Sequence, residues 1–242
     1  MSAIVQDITI GDCRLIQGDC MDVLPLLGAC ADVTFTDPPY KMEIHGRGFA
    51  AKRDYYSSLD YGTNTEFELS DEYFDLIFAA ISEHSAVFCC NKHMMRDLLN
   101  QADARGLTYD VLAMCKSSPA PLTNNQWLPD KEFAVHMFKS LPVRGSYATK
   151  RTWSVSTNFK NPDTSHPSAK PVHLLVPIIE NITDGGGLVL DTFMGSASTA
   201  LACLRIGRKF IGIERDPEFF QEAVRRVKAH YEAGPLFYEG AA

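Results

Sequence analysis

The sequence predicts a single α/β domain, and three observations carry that expectation. Ala31-Asp32-Val33-Thr34-Phe35 reads as a short buried strand that stops at Asp37, before Pro38 and Pro39. Upstream, two strand-like runs within residues 8–20 lead through a short helix over 21–27 into that strand, a compact β-α-β unit. Downstream, Gly185-Gly186-Gly187 turns into a strand of buried type, Leu188 to Asp191, which passes through a glycine-containing loop into another helix.

Taken in order, the first unit closes on Gly18-Asp19-Cys20, where Asp19 is an acid at a strand end or equally a helix N-cap. In the following helix Leu24 and Leu27 face inward. Asp37 then stands at the carboxyl end of its strand, where open α/β sheets place their ligands. The two prolines remove backbone donors and fix φ, so the turn offers mostly acceptors: the Asp37 carboxylate, the Pro38 carbonyl and the flat face of Tyr40. Such a turn suits a flat ring carrying an exocyclic amine. The lone pair of an aryl amine is delocalised until acceptors grip its hydrogens, and a preorganised pair of acceptors does that. The plain alternative is a proline-stiffened surface turn.

Over 41–64 periodicity is lost while glycine, tyrosine and basic residues accumulate, which reads as a lid over the site or as a solvated loop. Helical spacing returns over 67–85 with Phe74, Ile77, Phe78 and Ile81, capped by Ser70. A buried strand over 86–90, a helix over 93–106 with Leu98 and Leu99 inward, and strands over 109–115 and 132–138 follow. Residues 140–168 form the most basic stretch, with Tyr147, Trp153 and Phe159 interleaved among cations, a pattern suited to nucleic acid. A helix over 172–182, the 188–191 strand, a helix through Leu204, a strand over 209–213 ending in Glu214, and an amphipathic helix over 219–231 complete the chain. The glycine turn before the helix presents amides to an anion such as a carboxylate, and Glu214 is placed for ribose hydroxyls. The G-x-G-x-x-G pattern is missing, which argues against NAD.

Composition narrows the class. With 242 residues, 45% hydrophobic and 22% charged, the chain has the make-up of one globular core. Lys plus Arg number 23 against 30 Asp plus Glu, a formal net charge of −7, so any polyanion must meet local basic patches. Seven cysteines, odd in number and without paired metal spacing, read as reduced core thiols, with no disulfide framework and no metal site expected. No cationic apolar leader opens the chain and no apolar run approaches about 18 residues, so a cytoplasmic protein without membrane contact is expected.

With these pieces placed, the chain resembles the β-class DNA amino-methyltransferases, a circularly permuted, S-adenosylmethionine-dependent family whose catalytic block precedes its cofactor block. Four blocks carry the resemblance over nearly the whole chain: Asp37-Pro38-Pro39-Tyr40, His166-Pro167-Ser168-Ala169-Lys170-Pro171, the loop from Asp191 to Thr199, and Ile213-Glu214. The cofactor loop departs from the family's Asp-Pro-Phe-x-Gly-Ser-Gly-Thr-Thr at Thr192, Ala197 and Ser198.

The resemblance implies a Rossmann-like class I methyltransferase fold, a mixed and mostly parallel sheet with helices on both faces. It divides the chain into a catalytic half over 1–138 with a lid over 41–66, a short basic target-recognition segment over 139–165, and a cofactor-binding half over 166–231. Asp37, Pro38, Pro39 and Tyr40 would form the catalytic turn. S-adenosylmethionine would be held by Asp19, Cys20, Asp37, Ser168, Lys170, Asp191, Phe193, Gly195, Ser196, Thr199 and Glu214, with Asp19 at the adenine, Glu214 at the ribose, and Ser196 and Lys170 at the methionine end. Double-stranded DNA would meet Lys41, Arg47, Lys52 and Arg53 in the lid and Arg144, Lys150 and Arg151 in the later loop. Within the family an acid at the first motif position goes mainly with adenine N6 and a serine with cytosine N4, so adenine is the expected target and cytosine the alternative. A non-catalytic DNA-binding or cofactor-sensing module, and an RNA or protein amine methyltransferase, are rival readings. Family habit implies a homodimer.

Overall fold

The computed structural model describes residues 2–39, 68–119, 127–128, 130–140, 143–156, 164 and 169–234. The described chain runs β1 (Ile4–Ile10), β2 (Cys13–Gly18), α1 (Cys20–Leu27), β3 (Val33–Thr36), α2 (Asp71–Ala80), β4 (Ser85–Cys90), α3 (Lys92–Ala104), β5 (Thr108–Lys116), β6 (Lys131–Phe138), β7 (Trp153–Ser156), α4 (Val172–Ile182), β8 (Leu188–Asp191), α5 (Ser198–Arg205), β9 (Lys209–Glu214) and α6 (Pro217–Ala233). Helix starts follow local chemistry. Asp19 accepts from Met21 N–H, Ser70 from Tyr73 N–H, Asn91 from His93 and Met94 N–H, and Asp216 from Glu218 and Phe219 N–H ahead of Pro217.

The strands form one mixed sheet in the order β1-β2-β9-β8-β3-β4-β6-β5-β7. From β2 through β9, β8 and β3 to β4 every pairing is parallel, whereas β1 on β2, β6 on β4 and β5 on β6 are antiparallel, and β7 is parallel to β5. It follows that β5 and β7 end, and β6 begins, at the edge where β3 ends. The late strands β8 and β9 sit between β2 and β3.

Strand alternation splits the core. Val87 and Cys89 face a layer holding α4, α5 and α6, and Ala86, Phe88 and Cys90 face one holding α1, α2 and α3. The chain leaves β8 through α5 on the first face toward β9, and reaches β4 from β3 by way of α2 on the second. The crevice between β3 and β8 is therefore a topological switch point, where such sheets bind ligands. On the second face Tyr73, Phe74 and Phe88 pack edge-on with ring centroids 5.2–6.4 Å apart. Each such pair adds about 0.5–1.5 kcal/mol beyond area burial, and the cluster fixes the Tyr73 hydroxyl under the crevice.

Two sequence expectations change. The strand β7 lies inside the stretch read as a basic loop. Arg144, expected at DNA, instead braces the fold: its Nε lies 2.8 Å from Asp184 Oδ1, its Nη2 3.0 Å from Glu83 Oε2, and its Nη1 donates to Ile182 O at 2.9 Å. The neighbouring turn closes on Asn181, whose Oδ1 would lie 2.2 Å from a Cβ at Gly145, where φ is +82°. All seven cysteines are free and five are buried, as expected of core thiols. No described helix is long and apolar enough to cross a membrane.

Arg144→Ala should lower stability by about 1–3 kcal/mol, because it strands Glu83 and the Ile182 carbonyl. Urea unfolding monitored by circular dichroism reads this as a lower midpoint at unchanged slope.

Candidate active site at the carboxyl edge of the sheet

Along the carboxyl edge the strand ends deliver, in sheet order, Asp19 after β2, Glu214 on β9, Asp191 on β8 and Asp37 after β3. Neighbouring strands lie about 4.8 Å apart, so these acids span roughly 15 Å. Beside them, β6 contributes Glu132 and β5 contributes Lys116.

The β3–β8 seam is tied by buried hydroxyls. Thr36 Oγ1 donates to Asp191 Oδ1 at 2.8 Å, Thr36 and Thr192 hydroxyls are 3.1 Å apart, and the Tyr73 hydroxyl is 2.7 Å from Thr192 Oγ1. A hydroxyl has one proton. With Thr36 committed to Asp191, Thr192 donates to Thr36 and Tyr73 donates to Thr192, so the chain of protons points at Asp191. Asp191 also accepts from Phe193 N–H at 3.1 Å and from the Thr199 side chain. Burial nevertheless pushes its carboxyl from 3.8 up to about 6, against the pull of those donors. Asp191 thus shapes the loop after β8 from beneath.

After Thr192 the loop turns through Gly195 (φ 51°) and Ala197 (φ 64°) into α5. Glu214 holds it down: Oε2 accepts from Gly195 N–H at 2.8 Å and Oε1 from Asp216 N–H at 2.7 Å. Burial raises the Glu214 carboxyl, with those amides pulling the other way. From the far side the buried Arg226 donates to the Ser196 carbonyl and, at 3.0 Å, to Ser196 Oγ. No side chain caps α5, and the buried Ser198 Oγ at its start has no hydrogen-bond partner. Unfilled amides and an orphaned hydroxyl at a helix N-terminus suit a carboxylate. Glu214 keeps lone pairs for a diol, and Asp19 borders a cleft of about 410 Å³ lined with Gly18, Asp22 and Arg215. These residues fit an amino-acid-bearing nucleoside laid across β8, β9 and β2.

At Asp37 the backbone turns on Pro38, which is buried, and Pro39. Asp37 Oδ2 pairs with the Lys170 ammonium, while Oδ1 is buried and has no hydrogen-bond partner. Lys170, 6% exposed, also lies 3.5 Å from Glu132 Oε2, and Glu132 Oε1 lies 2.8 Å from Lys116 Nζ. Lys170, expected at the methionine end of a cofactor, is thus placed on Asp37.

Of the remaining expected residues, Cys20 is buried in the α1 core, its thiol pushed up to about 12, and the Phe193 ring leans on Tyr73 at 5.9 Å. Lys150 is exposed, and so is Arg151, whose guanidinium lies 5.5 Å over the half-exposed Trp153 ring. Tyr40, Lys41, Arg47, Lys52, Arg53, the lid over 41–66 and Ser168 lie outside the described residues. Sequence reasoning missed Thr36, Thr192, Tyr73, Arg226, Lys116 and Glu132. A lone acid at the mouth of the apolar run Phe133-Ala134-Val135 was the available signal for Glu132.

Residues 99–225 match the model of the DNA methylase family. Over 242 aligned positions, covering 89% of this chain and 90% of the other, the chain is 29% identical to the putative methylase YubD of Escherichia coli (strain K12). It is 38% identical over 86 residues to the type II methyltransferase M.BglI of Bacillus subtilis, covering 36% of this chain and 24% of that protein, so the match spans about a quarter of that relative's length. Among solved structures, the M1.HpyAVI–SAM complex superposes with a TM-score of 0.71 at 23% identity, covering 88% of this chain and 99% of that one. PvuII DNA methyltransferase, cytosine-N4-specific, does so with 0.68 at 15% identity over 93% of each chain. Both likenesses are of fold.

The raised Asp191 carboxyl gives a signed expectation. Between pH 3.8 and about 6 the folded protein holds a proton there that the unfolded chain has released, so this group lowers stability as pH rises through that window. Asp191→Asn should flatten that fall, read from urea midpoints across a pH series.

Proposed function

We propose that this chain, which belongs to the DNA methylase family, transfers the methyl group of S-adenosylmethionine to the exocyclic N6 of adenine in DNA after the base is flipped from the duplex. The observation that carries this reading is Asp37 on its proline turn, with one carboxylate oxygen anchored and the other buried and unpartnered beside the β8 loop. The amine hydrogens would be accepted by Asp37 Oδ1 and the Pro38 carbonyl, which localises the lone pair on nitrogen and steadies its developing positive charge. The bound cofactor supplies an electrophilic sulfonium methyl: the sulfur–carbon bond breaks as the nitrogen–carbon bond forms, leaving a thioether. The methylated amine then sheds one proton, through Asp37 to water.

The cofactor would lie with its carboxylate on the α5 N-terminus and Ser198, its ribose at Glu214 and its adenine toward Asp19. On this reading the chain is a permuted methyltransferase, with the target-binding turn on β3 and the cofactor loop on β8, and 139–165 contributes to target recognition. Lys150, Arg151 and the aromatic faces of Tyr147 and Trp153, exposed on that segment, supply a local basic surface for the phosphate backbone. Arg144 is left out of that surface by its ion pairs. An aspartate rather than a serine in the catalytic motif favours adenine over cytosine N4.

The test is to incubate the protein with S-adenosylmethionine and duplex DNA and digest the product to nucleosides. N6-methyladenine is expected from the wild type and none from Asp37→Ala; N4-methylcytosine would reassign the target, and full activity in Asp37→Ala would end the reading. Glu214→Ala should weaken S-adenosylmethionine binding by about 1–3 kcal/mol in titration calorimetry, since the ribose contact and the Gly195 tether go together.

A further inference from the structure

Four side chains of alternating sign lie in a row beside the catalytic turn: Lys116 on β5, Glu132 on β6, Lys170 just ahead of α4, and Asp37 after β3. Lys116 Nζ lies 2.8 Å from Glu132 Oε1, and Glu132 Oε2 lies 3.5 Å from Lys170 Nζ. Lys170 in turn pairs with Asp37 Oδ2. Glu132 and Lys116 are 25% and 29% exposed, and Lys170 is 6% exposed. An ammonium this buried cannot rely on water, and among the described residues its charge is shared between two carboxylates.

That division matters for Asp37, which has two tasks that conflict. It must be held in one orientation at the mouth of the crevice, which a nearby cation favours. It must also remain a strong acceptor, which a cation bonded fully to it would undermine. We propose that Glu132 is a positioning residue that shares Lys170 with Asp37, anchoring Oδ2 and leaving Oδ1 for the incoming amine. The inference rests on Asp37 being the acceptor for that amine, and it assigns Lys170 to the target side of the crevice instead of the cofactor's methionine end.

The other described titratable groups that feel Asp37 or Lys170 are Cys89 and Cys90 on β4 and Asp191 on β8. Burial raises both thiols, Cys90 to about 12, which leaves them neutral. Asp191 repels Asp37 across the seam but touches neither Lys170 nor Glu132, so its contribution is common to the variants compared below.

The experiment pairs single-turnover methyl transfer at saturating DNA and cofactor with nitrogen-15 NMR of the lysine ammonium groups in the cofactor-free protein, the Lys170 resonance being assigned by its loss in Lys170→Met. Glu132→Gln removes one of the two carboxylates that Lys170 meets among the described residues, so the Lys170 resonance should move. Single-turnover methyl transfer by Glu132→Gln should slow about tenfold or more, through misplacement of Asp37. Its dissociation constants for S-adenosylmethionine and DNA should stay within about twofold, and Glu132→Asp should recover part of the rate. A moved Lys170 resonance with a rate-only defect supports the proposal; an unmoved resonance, a rate within about twofold of the wild type, or a loss of binding as large as the loss of rate overturns it. A wild type that methylates no DNA would remove the proposed function, while the Lys170 resonance would still decide the sharing of Lys170.

Discussion

A carboxylate buried at the end of a strand must be met by donors or give up its charge. At Asp191 the donors come from both sides of the crevice: Thr36 from β3, Thr199 from α5 and the Phe193 amide from the loop between. Because Thr36 is the residue before Asp37, the hydrogen bond that satisfies Asp191 also sets where the Asp37 turn leaves the sheet. The hydroxyls of Thr192 and Tyr73 extend this tie into the aromatic cluster under α2. The distance between the two halves of the site is thereby fixed by short buried hydrogen bonds and not by the loops above them. Preorganised acceptors act only if they need no rearrangement when the ligand arrives, and this seam supplies that stiffness.

Much of this was legible in the sequence where the signal is local. The β3 and β8 runs are short segments of buried type that lead to acids, and the helices announce themselves by spacing and by caps such as Ser70. The edge strand β7 was not legible: four residues, two of them exposed, pair with β5 across more than thirty-five positions of chain, and no local pattern reports such a partner. Glu132 escaped for a related reason. A residue at a strand's start reaches this edge only if the strand runs antiparallel to its neighbours, and direction is a property of the sheet. Tyr73 reads as one more apolar position in an amphipathic helix, and only the packed structure brings its hydroxyl to Thr192.

Charge shows the same limit. Counting basic residues along 139–165 treats every cation as available to a polyanion, but availability depends on what else lies within reach. Arg144 meets Glu83, just ahead of β4, and Asp184, just past α4, and Arg226 and Lys170 are buried against loop and carboxylate. These three answer internal needs. Lys150 and Arg151 stand on the opposite side of that balance: both are exposed, Arg151 over the Trp153 ring, where a guanidinium keeps most of its hydration and can exchange it for a phosphate. In an acidic protein that separation between structural and available cations decides where a polyanion can approach.

The departures of the cofactor loop from the family pattern follow the same logic. Thr192 stands where the pattern has proline, and its hydroxyl is a member of the seam, linking Thr36 to Tyr73; a proline there would leave the Tyr73 hydroxyl without this acceptor. Ala197 takes the left-handed conformation that glycine adopts freely, at a penalty of about 1 kcal/mol. Its methyl is fully buried against the α4–α5–α6 layer, which returns about 0.8 kcal/mol. Ser198 keeps a hydroxyl at the start of α5 and leaves it unpartnered, facing the place where an anion would sit. Each change is thus met nearby by a compensating contact or by an open ligand position. The loop thus rests on its own set of contacts, with Glu214 holding Gly195 from below.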